Sequence, residues 1–472
     1  MALLIQSKVI KLIFCLAFIS SCMANDDNMP SDAKARVWYE AGQSYLAQQK
    51  HRRPGGDVKA KNVILFIGDG MSLATVTASR IYQGQLQGNP GEENLLSFEY
   101  FPEIALVKTY AVDKQVSDSA STATALLSGV KTRFYTLGTD ESNTVENCGK
   151  GHLKSLLELA EEHGLATGAV STARLTHATP AATYAHVSIR EFESDAKGCA
   201  DIAEQLIEFS YGDGLEVALG GGSKMFLPTS DGGLRTDGRN LIEEWKNRFG
   251  DDAFVSDTKS LKISNSNHLL GLFSEDHMSF TEHRDKQGFG EPSLTEMTEK
   301  AIEIVKQNDK GFFLMIESGR IDHGHHAGIA KLALEETVEF SEAIKRAQEL
   351  VGPDTLIVVT ADHSHTMSFG GYPKRGENIL GIAGLDSHGL PYTTLNYANG
   401  RGYKEKRDDL SKIDTTADGY LQAAAIPLPI ETHGGDDVPV YAIGPGSQWF
   451  SGVMEQNVIF HLMKAALLDY RE

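Results

Sequence analysis

The sequence predicts an α/β fold, in which a large, mostly parallel central sheet lies between layers of helices and carries an inserted irregular lobe. Short runs of β-branched and aromatic residues alternate with segments of helical length, as in a parallel sheet covered on both faces. Within the run 62–67, residues 63–67 are all apolar, and the run ends at Gly68-Asp69-Gly70, which is typical of a strand buried on both faces. A chain of 472 residues is also long enough to bury a large core.

The individual elements follow from the same patterns. Strands are predicted at residues 62–67, 104–111, 166–171, 216–219, 311–316, 355–360 and 439–443. Helices are predicted from residue 71 to about residue 82 and at residues 120–128, 152–163, 293–307, 332–350 and 454–468.

These elements divide the chain into an arm and one large domain. Residues 25–60 are polar and form an N-terminal arm with one short helix near residues 37–46. Residues 61–472 form the α/β domain. Within it, residues 223–290 are an irregular insertion, and residues 370–430, rich in Gly, Asn, Tyr and charge, are the inserted lobe.

The amino terminus, residues 1–24, is typical of a bacterial-style export signal. Lys8 and Lys11 precede an apolar run that is too short to span a bilayer as a folded helix. Residues 19–22, Ile-Ser-Ser-Cys, are similar to a lipoprotein box in which Cys22 carries the lipid, and ordinary signal cleavage is the alternative. The prediction is an exported protein that is periplasmic or tethered to a membrane by lipid, with secretion as a further alternative.

Composition and charge exclude several classes of protein. With 41% hydrophobic residues and only 14 prolines, the chain is globular rather than disordered. Its 44 Lys and Arg against 64 Asp and Glu give a net charge of −20, which repels phosphate backbones. Nucleic-acid binding is therefore not expected, and an anionic substrate would need a local cluster of cations.

Two cysteines, Cys148 and Cys199, remain outside the export signal. An even pair in an exported chain favours a disulfide, and two unrelated buried thiols are the alternative. The chain has no Cys-x-x-Cys pair, so a thiolate zinc site has no support.

Acidic and imidazole side chains cluster just after the predicted strands or just before the last one: Asp69, Glu317, Asp322, Asp362, His363 and His433. Taken singly, each is more typical of a helix cap or a hydrogen-bonded loop residue than of a functional site. The carboxyl ends of parallel strands meet at one edge of the sheet, so these side chains should converge. Carboxylates gathered without a cation would repel one another, and carboxylates with imidazoles suit zinc, in numbers sufficient for two ions.

Local spacing supports this metal hypothesis. Asp322 and His326 are four residues apart and would lie on one face of a helical turn. Asp69 lies between two glycines, which allow a sharp turn that presents its carboxylate. His325 is expected to support a ligand or to lie on the surface.

A run of small residues, 118–125, offers a nucleophile. It allows a helix to begin tightly with Ser119 in the first turn, where free N–H groups and the helix dipole favour an anion. An ordinary Ser/Ala-rich helix capped by Asp118 or Ser119 is the alternative. Arg190 could hold two phosphate oxygens in its planar guanidinium, although alone it would be a surface residue.

The segments that carry these residues resemble six ordered motifs of the alkaline phosphatase family, from about residue 60 to the end of the chain. They are Gly68-Asp69-Gly70-Met71, Asp118-Ser119-Ala120, residues 178–182 with Arg190, Glu317 through His326, Thr360-Ala361-Asp362-His363-Ser364-His365 and Thr432-His433-Gly434-Gly435. Six motifs in family order are specific, whereas Gly-Asp-Gly alone would be weak.

The resemblance implies roles for single residues. It implies one zinc ion on Asp69, Asp362 and His363, a second on Asp322, His326 and His433, and a magnesium ion on Asp69, Thr179 and Glu317. It implies that Ser119 is the nucleophile and Arg190 the phosphate clamp. The histidines His177 and His323 are similar to those of the animal-type members. The resemblance implies that both lie near the phosphate or behind the metal ligands. Because imidazole favours zinc, zinc is an alternative for the third ion. The Cys148–Cys199 pair also agrees with the animal-type arrangement.

The activity that the resemblance implies is hydrolysis of small phosphate monoesters with broad specificity. The expected reaction passes through a phosphoserine at Ser119 and releases inorganic phosphate and an alcohol, in a homodimer. Two alternatives stay open: a phosphodiesterase of the same superfamily with the same metal ligands, and a non-catalytic zinc-binding surface lipoprotein.

Overall fold

A ten-stranded sheet forms the centre of the computed structural model, which describes residues 28–54, 58–196, 198–288 and 290–471. The predicted export signal and the lipid-bearing Cys22 lie outside the described residues. In chain order the strands are β1 (Asn62–Gly68), β2 (Glu103–Lys108), β3 (Ala166–Arg174), β4 (Val217–Gly221), β5 (Phe254–Val255), β6 (Leu269–Leu272), β7 (Phe312–Ser318), β8 (Thr355–Ala361), β9 (Ser364–His365), β10 (Met367–Phe369), β11 (Ile382–Leu385), β12 (Pro391–Thr393), β13 (Leu395–Gly400), β14 (Ala424–Pro427), β15 (His433–Gly434), β16 (Val438–Ile443) and β17 (Gly452–Glu455).

The strand order in the large sheet is β17-β2-β16-β8-β1-β7-β3-β4-β6-β5. Every neighbouring pair is parallel except those of β16, which runs antiparallel to both β2 and β8. β1 lies near the middle, between β7 and β8, and all seven of its residues are buried. The predicted fold class, a mostly parallel sheet between helices, is confirmed.

Helices lie on both faces of this sheet. In chain order they are α1 (Ala33–Arg52), α2 (Leu73–Leu86), α3 (Ser119–Ser128), α4 (Leu156–Glu162), α5 (Ala178–Ala181), α6 (Ile202–Ile207), α7 (Ser223–Phe226), α8 (Leu241–Phe249), α9 (Thr258–Ile263), α10 (Thr281–Gln287), α11 (Leu294–Val305), α12 (Arg320–His326), α13 (Ala330–Leu350) and α14 (Val458–Leu467). Among the described residues, none of these helices combines the length and the apolar character needed to span a bilayer.

The helix of the N-terminal arm is longer than the sequence pattern predicted. It starts after Asp32, whose side chain accepts the N–H groups of Lys34 and Ala35, and it continues to Arg52. Its stability comes from packing against α14 rather than from apolar periodicity: Gly42 faces His461 so closely that an added Cβ would lie 2.1 Å from the imidazole. Such a contact between distant segments leaves no periodic signal in the arm itself.

The last helix, predicted at residues 454–468, begins later in the structure than the sequence pattern predicted. Residues 452–455 form β17, which pairs with β2 in parallel, and α14 starts only at Val458. The apolar run around Met454 fits either a buried strand or a buried helix, and the partner strand decides between them.

The two irregular segments differ in their relation to the sheet. The segment 223–290 contributes β5 and β6, which add two parallel strands at one edge of the large sheet. The segment 370–430 contains β11 to β14, which pair in small separate sheets, β11 with β12 and β13 with both β10 and β14.

Cys148 and Cys199 form a disulfide that closes a loop of 51 residues, which contains Thr179 and Arg190. A crosslink of this span restricts the unfolded chain and stabilises the fold by about 4 kcal/mol in the chain-entropy model. We therefore expect the double substitution C148S/C199S to lower the thermal unfolding midpoint by several degrees. Wild-type protein under reducing conditions should match it, and an unchanged midpoint in both samples would contradict the prediction.

Candidate active site

Three neighbouring strands carry acidic residues to one place. In the sheet, Gly68 at the end of β1 is level with Ser318 of β7 and Ala361 of β8. Asp69 and Asp362 directly follow β1 and β8, and Glu317 is the penultimate residue of β7. The register of the parallel strands alone therefore gathers three carboxylates at the carboxyl edge of the sheet, as the sequence predicted.

The turn after β1 depends on glycine. Gly70 has a φ of +70°, in the left-handed region, and an added Cβ would lie 2.3 Å from the His365 ring. Its backbone N–H donates to Oδ1 of Asp362 at 2.9 Å, which ties the turn to β8. A side chain at this position would push apart the two segments that hold the acidic cluster.

The first predicted zinc set comes together in the fold. Nε2 of His363 lies 3.4 Å from Oδ1 of Asp69 and 3.3 Å from Oδ2 of Asp362, and all three residues are fully buried. The Oδ2 atoms of Asp69 and Asp362 have no hydrogen-bond partner among the described residues. Buried carboxylate oxygens without donors are what a metal ion would satisfy.

The second predicted zinc set also converges. Oδ1 of Asp322 lies 3.3 Å from Nε2 of His326 and 3.4 Å from Nε2 of His433, and the two imidazole nitrogens are 3.1 Å apart. The opposite nitrogens are anchored on backbone carbonyls, those of Glu431 at 2.5 Å and Ser117 at 2.8 Å. This anchoring aims both Nε2 lone pairs at the same point, which is how proteins orient imidazole ligands.

The third predicted set is a group of oxygen atoms. Thr179 Oγ1 and Glu317 Oε1 are buried without a partner among the described residues. The other carboxylate oxygen of Glu317 accepts the hydroxyl of Ser171. Ligand atoms of Asp69, His177 and Glu317 lie within 4.8 Å of one another, so one imidazole borders this oxygen set. Hard oxygen donors suit magnesium, and the bordering imidazole keeps zinc as an alternative.

The electrostatics of these groups call for cations. Burial and then the neighbouring carboxylates, Asp362 first, raise the pKa of Asp69 well above its ordinary value. Burial likewise raises the pKa of Asp362 and of Glu317. Burial holds the pKa of His363 well below its ordinary value, so its imidazole is neutral and has a lone pair to offer. Neutral imidazoles beside crowded carboxylates fit divalent ions, which would bring the carboxylates back to their ionised form.

The predicted nucleophile faces this cluster. Ser119 is the first residue of α3, and its Oγ lies 3.1 Å from Nε2 of His363 and 3.5 Å from Oδ1 of Asp69. Asp118 caps the helix by accepting the N–H groups of Ala120 and Ser121. The same carboxylate accepts NH1 of Arg190 at 3.0 Å, which brings this guanidinium to the N-terminal end of α3. The hydroxyl, the helix N-terminus and the arginine together form a place for an anion.

The imidazole of His277, which sequence reasoning missed, adjoins those of His177 and His323, the two histidines predicted to lie near the phosphate. The rings of His177, His277 and His323 lie 4.2 to 5.7 Å apart. Each ring nitrogen that faces an arginine must accept, because a guanidinium only donates: NH2 of Arg190 lies 2.8 Å from Nε2 of His177, and NH1 of Arg320 lies 3.0 Å from Nδ1 of His323. His277 sits in the segment predicted to be irregular, so no local signal marked it.

Sequence reasoning also missed two buried residues behind the second zinc set. His365 was seen only as part of a motif, and its Nε2 lies 2.6 Å from Oδ1 of Asp322. Glu431 was not singled out, and its Oε2 lies 2.5 Å from Nδ1 of His365. His325, expected behind a ligand or on the surface, is buried between the hydroxyls of Thr75 and Tyr397. The predicted ligands of both zinc sets and Ser119 lie in the cluster. Arg190 adjoins it through Asp118, and Cys148 and Cys199 are bonded to each other.

Comparison with known proteins finds the same family over most of the chain. A sequence model described as alkaline phosphatase matches residues 60–468. The alkaline phosphatase of Gadus morhua is 42% identical over 471 aligned residues, covering 92% of this chain and 97% of that protein. The membrane-bound alkaline phosphatase of Bombyx mori is 41% identical over 473 aligned residues, covering 92% of this chain and 85% of that protein. The crystal structure of Thermus thermophilus alkaline phosphatase has a TM-score of 0.66 and 26% identity, covering 87% of this chain and 92% of that chain.

Proposed function

Because the chain belongs to the alkaline phosphatase family, it is a phosphomonoesterase, and we propose that Ser119 is its nucleophile and Arg190 its phosphate clamp. One observation carries this proposal: the Ser119 hydroxyl lies within hydrogen-bonding distance of His363 at the edge of the buried acidic cluster. A serine that only capped a helix would have no reason to face buried carboxylates and imidazoles.

We further propose that the family's metal cofactors are two zinc ions and one magnesium ion. Asp69, Asp362 and His363 would hold the first zinc, Asp322, His326 and His433 the second, and Asp69, Thr179 and Glu317 the magnesium. The unpartnered carboxylate oxygens and the anchored imidazoles support this assignment. When bound, such ions lower the pKa of a hydroxyl and stabilise the negative charge on entering and leaving oxygens.

The residues of the chain then divide the reaction between them. Ser119 Oγ loses its proton and forms a bond to phosphorus while the bond from phosphorus to the alcohol oxygen breaks; that oxygen leaves with the bonding electrons and takes up a proton to become the alcohol. The oxygen of a water molecule then bonds to the phosphorus of the phosphoserine, the bond to Ser119 Oγ breaks, one proton of the water restores the Ser119 hydroxyl, and inorganic phosphate departs. Arg190, oriented by Asp118 and His177, donates to the non-bridging oxygens in both steps.

These contacts predict broad specificity for monoesters. The roles proposed for Ser119, Arg190 and the metal ligands all concern the phosphoryl group. None of these residues is proposed to bind the alcohol. We expect purified protein to release phosphate from an aromatic, an aliphatic and a sugar monoester. The rates should depend more on how readily the alcohol leaves than on the shape of the alcohol. The matching diester should turn over more slowly than the monoester. A diester-to-monoester ratio above one would instead support a phosphodiesterase, and metal content without either activity would support a binding protein.

We propose that the protein is exported and acts as a homodimer in the periplasm or on a membrane. The export signal at residues 1–24, with Cys22 as the lipid site or ordinary cleavage as the alternative, supports this location, as does the membrane-bound relative of Bombyx mori. In the 370–430 lobe, Tyr372 is 97% exposed and Leu385 66% exposed, so the lobe offers apolar side chains to an interface between two copies.

A further inference from the structure

Glu431 is a buried carboxylate without a lysine or arginine partner in the described part of the chain; its ion-pair partners are imidazoles. Its neighbours Ile430 and Thr432 are exposed, whereas Glu431 has no accessible surface. A carboxylate in such a place needs donors. Thr366 supplies two of them to Oε1, its backbone N–H at 2.7 Å and its hydroxyl at 2.5 Å. The carboxylate is therefore held in one orientation.

The other carboxylate oxygen of Glu431 is connected to Asp322 through the ring of His365. Oε2 lies 2.5 Å from Nδ1 of His365, and Nε2 of the same ring lies 2.6 Å from Oδ1 of Asp322. The His365 ring thus bridges the two carboxylates, with Nδ1 toward Glu431 and Nε2 toward Asp322. Because Glu431 holds the ring in place, the ring in turn holds the carboxylate of Asp322 in place.

The backbone of Glu431 contacts a second residue of the same set. Its carbonyl oxygen accepts Nδ1 of His326 at 2.5 Å, and its N–H donates to the carbonyl of His326 at 3.1 Å. The first contact places the proton on Nδ1, which leaves the Nε2 lone pair directed toward Asp322 and His433. One residue thus orients two of the three side chains, through its side chain and through its carbonyl.

We propose that Glu431 is the positioning residue of the metal site formed by Asp322, His326 and His433. The proposal rests on the metal assignment made under the proposed function. In this role Glu431 acts through His365 and prevents Asp322 from rotating away. Outer partners of this kind change metal affinity by about 10- to 100-fold when they are removed.

The test is the substitution Glu431→Gln, which keeps the size of the side chain and removes its charge. Glu158→Gln is the matched control, because Glu158 is also buried, lies 2.8 Å from a histidine, His186, and accepts a backbone N–H, that of Ser155. Zinc-loaded wild type and both variants are dialysed against a chelator, and zinc per protomer is followed with time. We expect Glu431→Gln to lose one zinc equivalent at least about tenfold faster than wild type, while the other equivalent and the Glu158→Gln profile stay unchanged. Excess zinc should restore phosphatase activity to Glu431→Gln.

Three results would overturn the inference. They are equal zinc retention in Glu431→Gln and wild type, acceleration to the same extent in Glu158→Gln, and equal acceleration for both zinc equivalents. All three leave the proposed function intact as long as the wild type contains zinc and is active. A wild type that hydrolyses monoesters without zinc would instead refute the metal assignment itself, and the inference would fall with it.

Discussion

Replacing Ser119 by alanine is expected to lower kcat/KM for a phosphate monoester by at least about a thousandfold. The alanine side chain has no oxygen that can take over the phosphoryl group, so the two-step route through a covalent intermediate is closed. Steady-state kinetics with a chromogenic monoester measure the loss. Rapid acid quenching followed by peptide mass spectrometry should find phosphate on Ser119 in the wild type and none in the variant.

The control for this substitution lies on the same helix. Ser128 ends α3, is buried, and donates to the carbonyl of Thr124, far from the acidic cluster. Ser128→Ala should keep near wild-type turnover, although it loses a similar hydroxyl. The Ser119→Ala protein should also bind the same amount of zinc as the wild type. Turnover by Ser119→Ala equal to that of Ser128→Ala would refute the nucleophile assignment.

Removing the bound metal ions is expected to lower turnover by at least about a hundredfold. Without them no divalent cation favours loss of the Ser119 proton or stabilises the negative charge on the departing oxygen. Activity should return on addition of zinc together with magnesium, and magnesium alone should not restore it. Chelation, removal of the chelator and titration with each ion while monoester turnover is monitored make this measurement. Full activity in protein shown to be metal-free would contradict the prediction.

The metal-free protein should also show a characteristic dependence of stability on pH. Burial raises the pKa of Glu317 to about 7, and burial raises the pKa of Asp69 and Asp362 as well. A carboxyl group with a raised pKa in the folded state holds its proton more tightly there than in the unfolded chain. The contribution of these three carboxyl groups to the stability of the metal-free protein is therefore present below about pH 4.5 and is lost as the pH rises through about 7. Thermal melts of the metal-loaded protein over the same range should be flatter, because bound ions keep the carboxylates ionised.

Much of the fold could be predicted from the sequence because its signals are local. The run 63–67 is apolar on both faces, and it lies in the fully buried β1 near the middle of the sheet. The segment around Met454 shows the limit of such signals, since an apolar run of this length suits a strand or a helix until its neighbour is known. The antiparallel direction of β16 and the addition of β5 and β6 to the sheet are likewise contacts between distant segments.

The candidate site likewise contains some residues that the sequence predicts and others that it does not. Asp69, Asp362 and His363 follow apolar runs that are recognisable as strands, so the pattern of the sequence alone identifies them. His277 and Glu431 lie in segments without a regular pattern. Glu431 is 66 residues from His365, the imidazole that gives it a role. No spacing rule connects such a pair, because their contact exists only after the chain has folded.

The sequence by itself determined the long strands near the middle of the sheet, the acidic and imidazole residues at their ends, and the hydroxyl that begins a helix. Periodicity and chain position carry that information, because each strand end is a local feature. Only the tertiary structure decided which of those groups meet, which nitrogen of each imidazole is anchored, and which buried residues hold the ligands in place. Hydrogen bonds with a reach of about 3 Å depend on the packing of distant segments, and packing is a property of the whole chain.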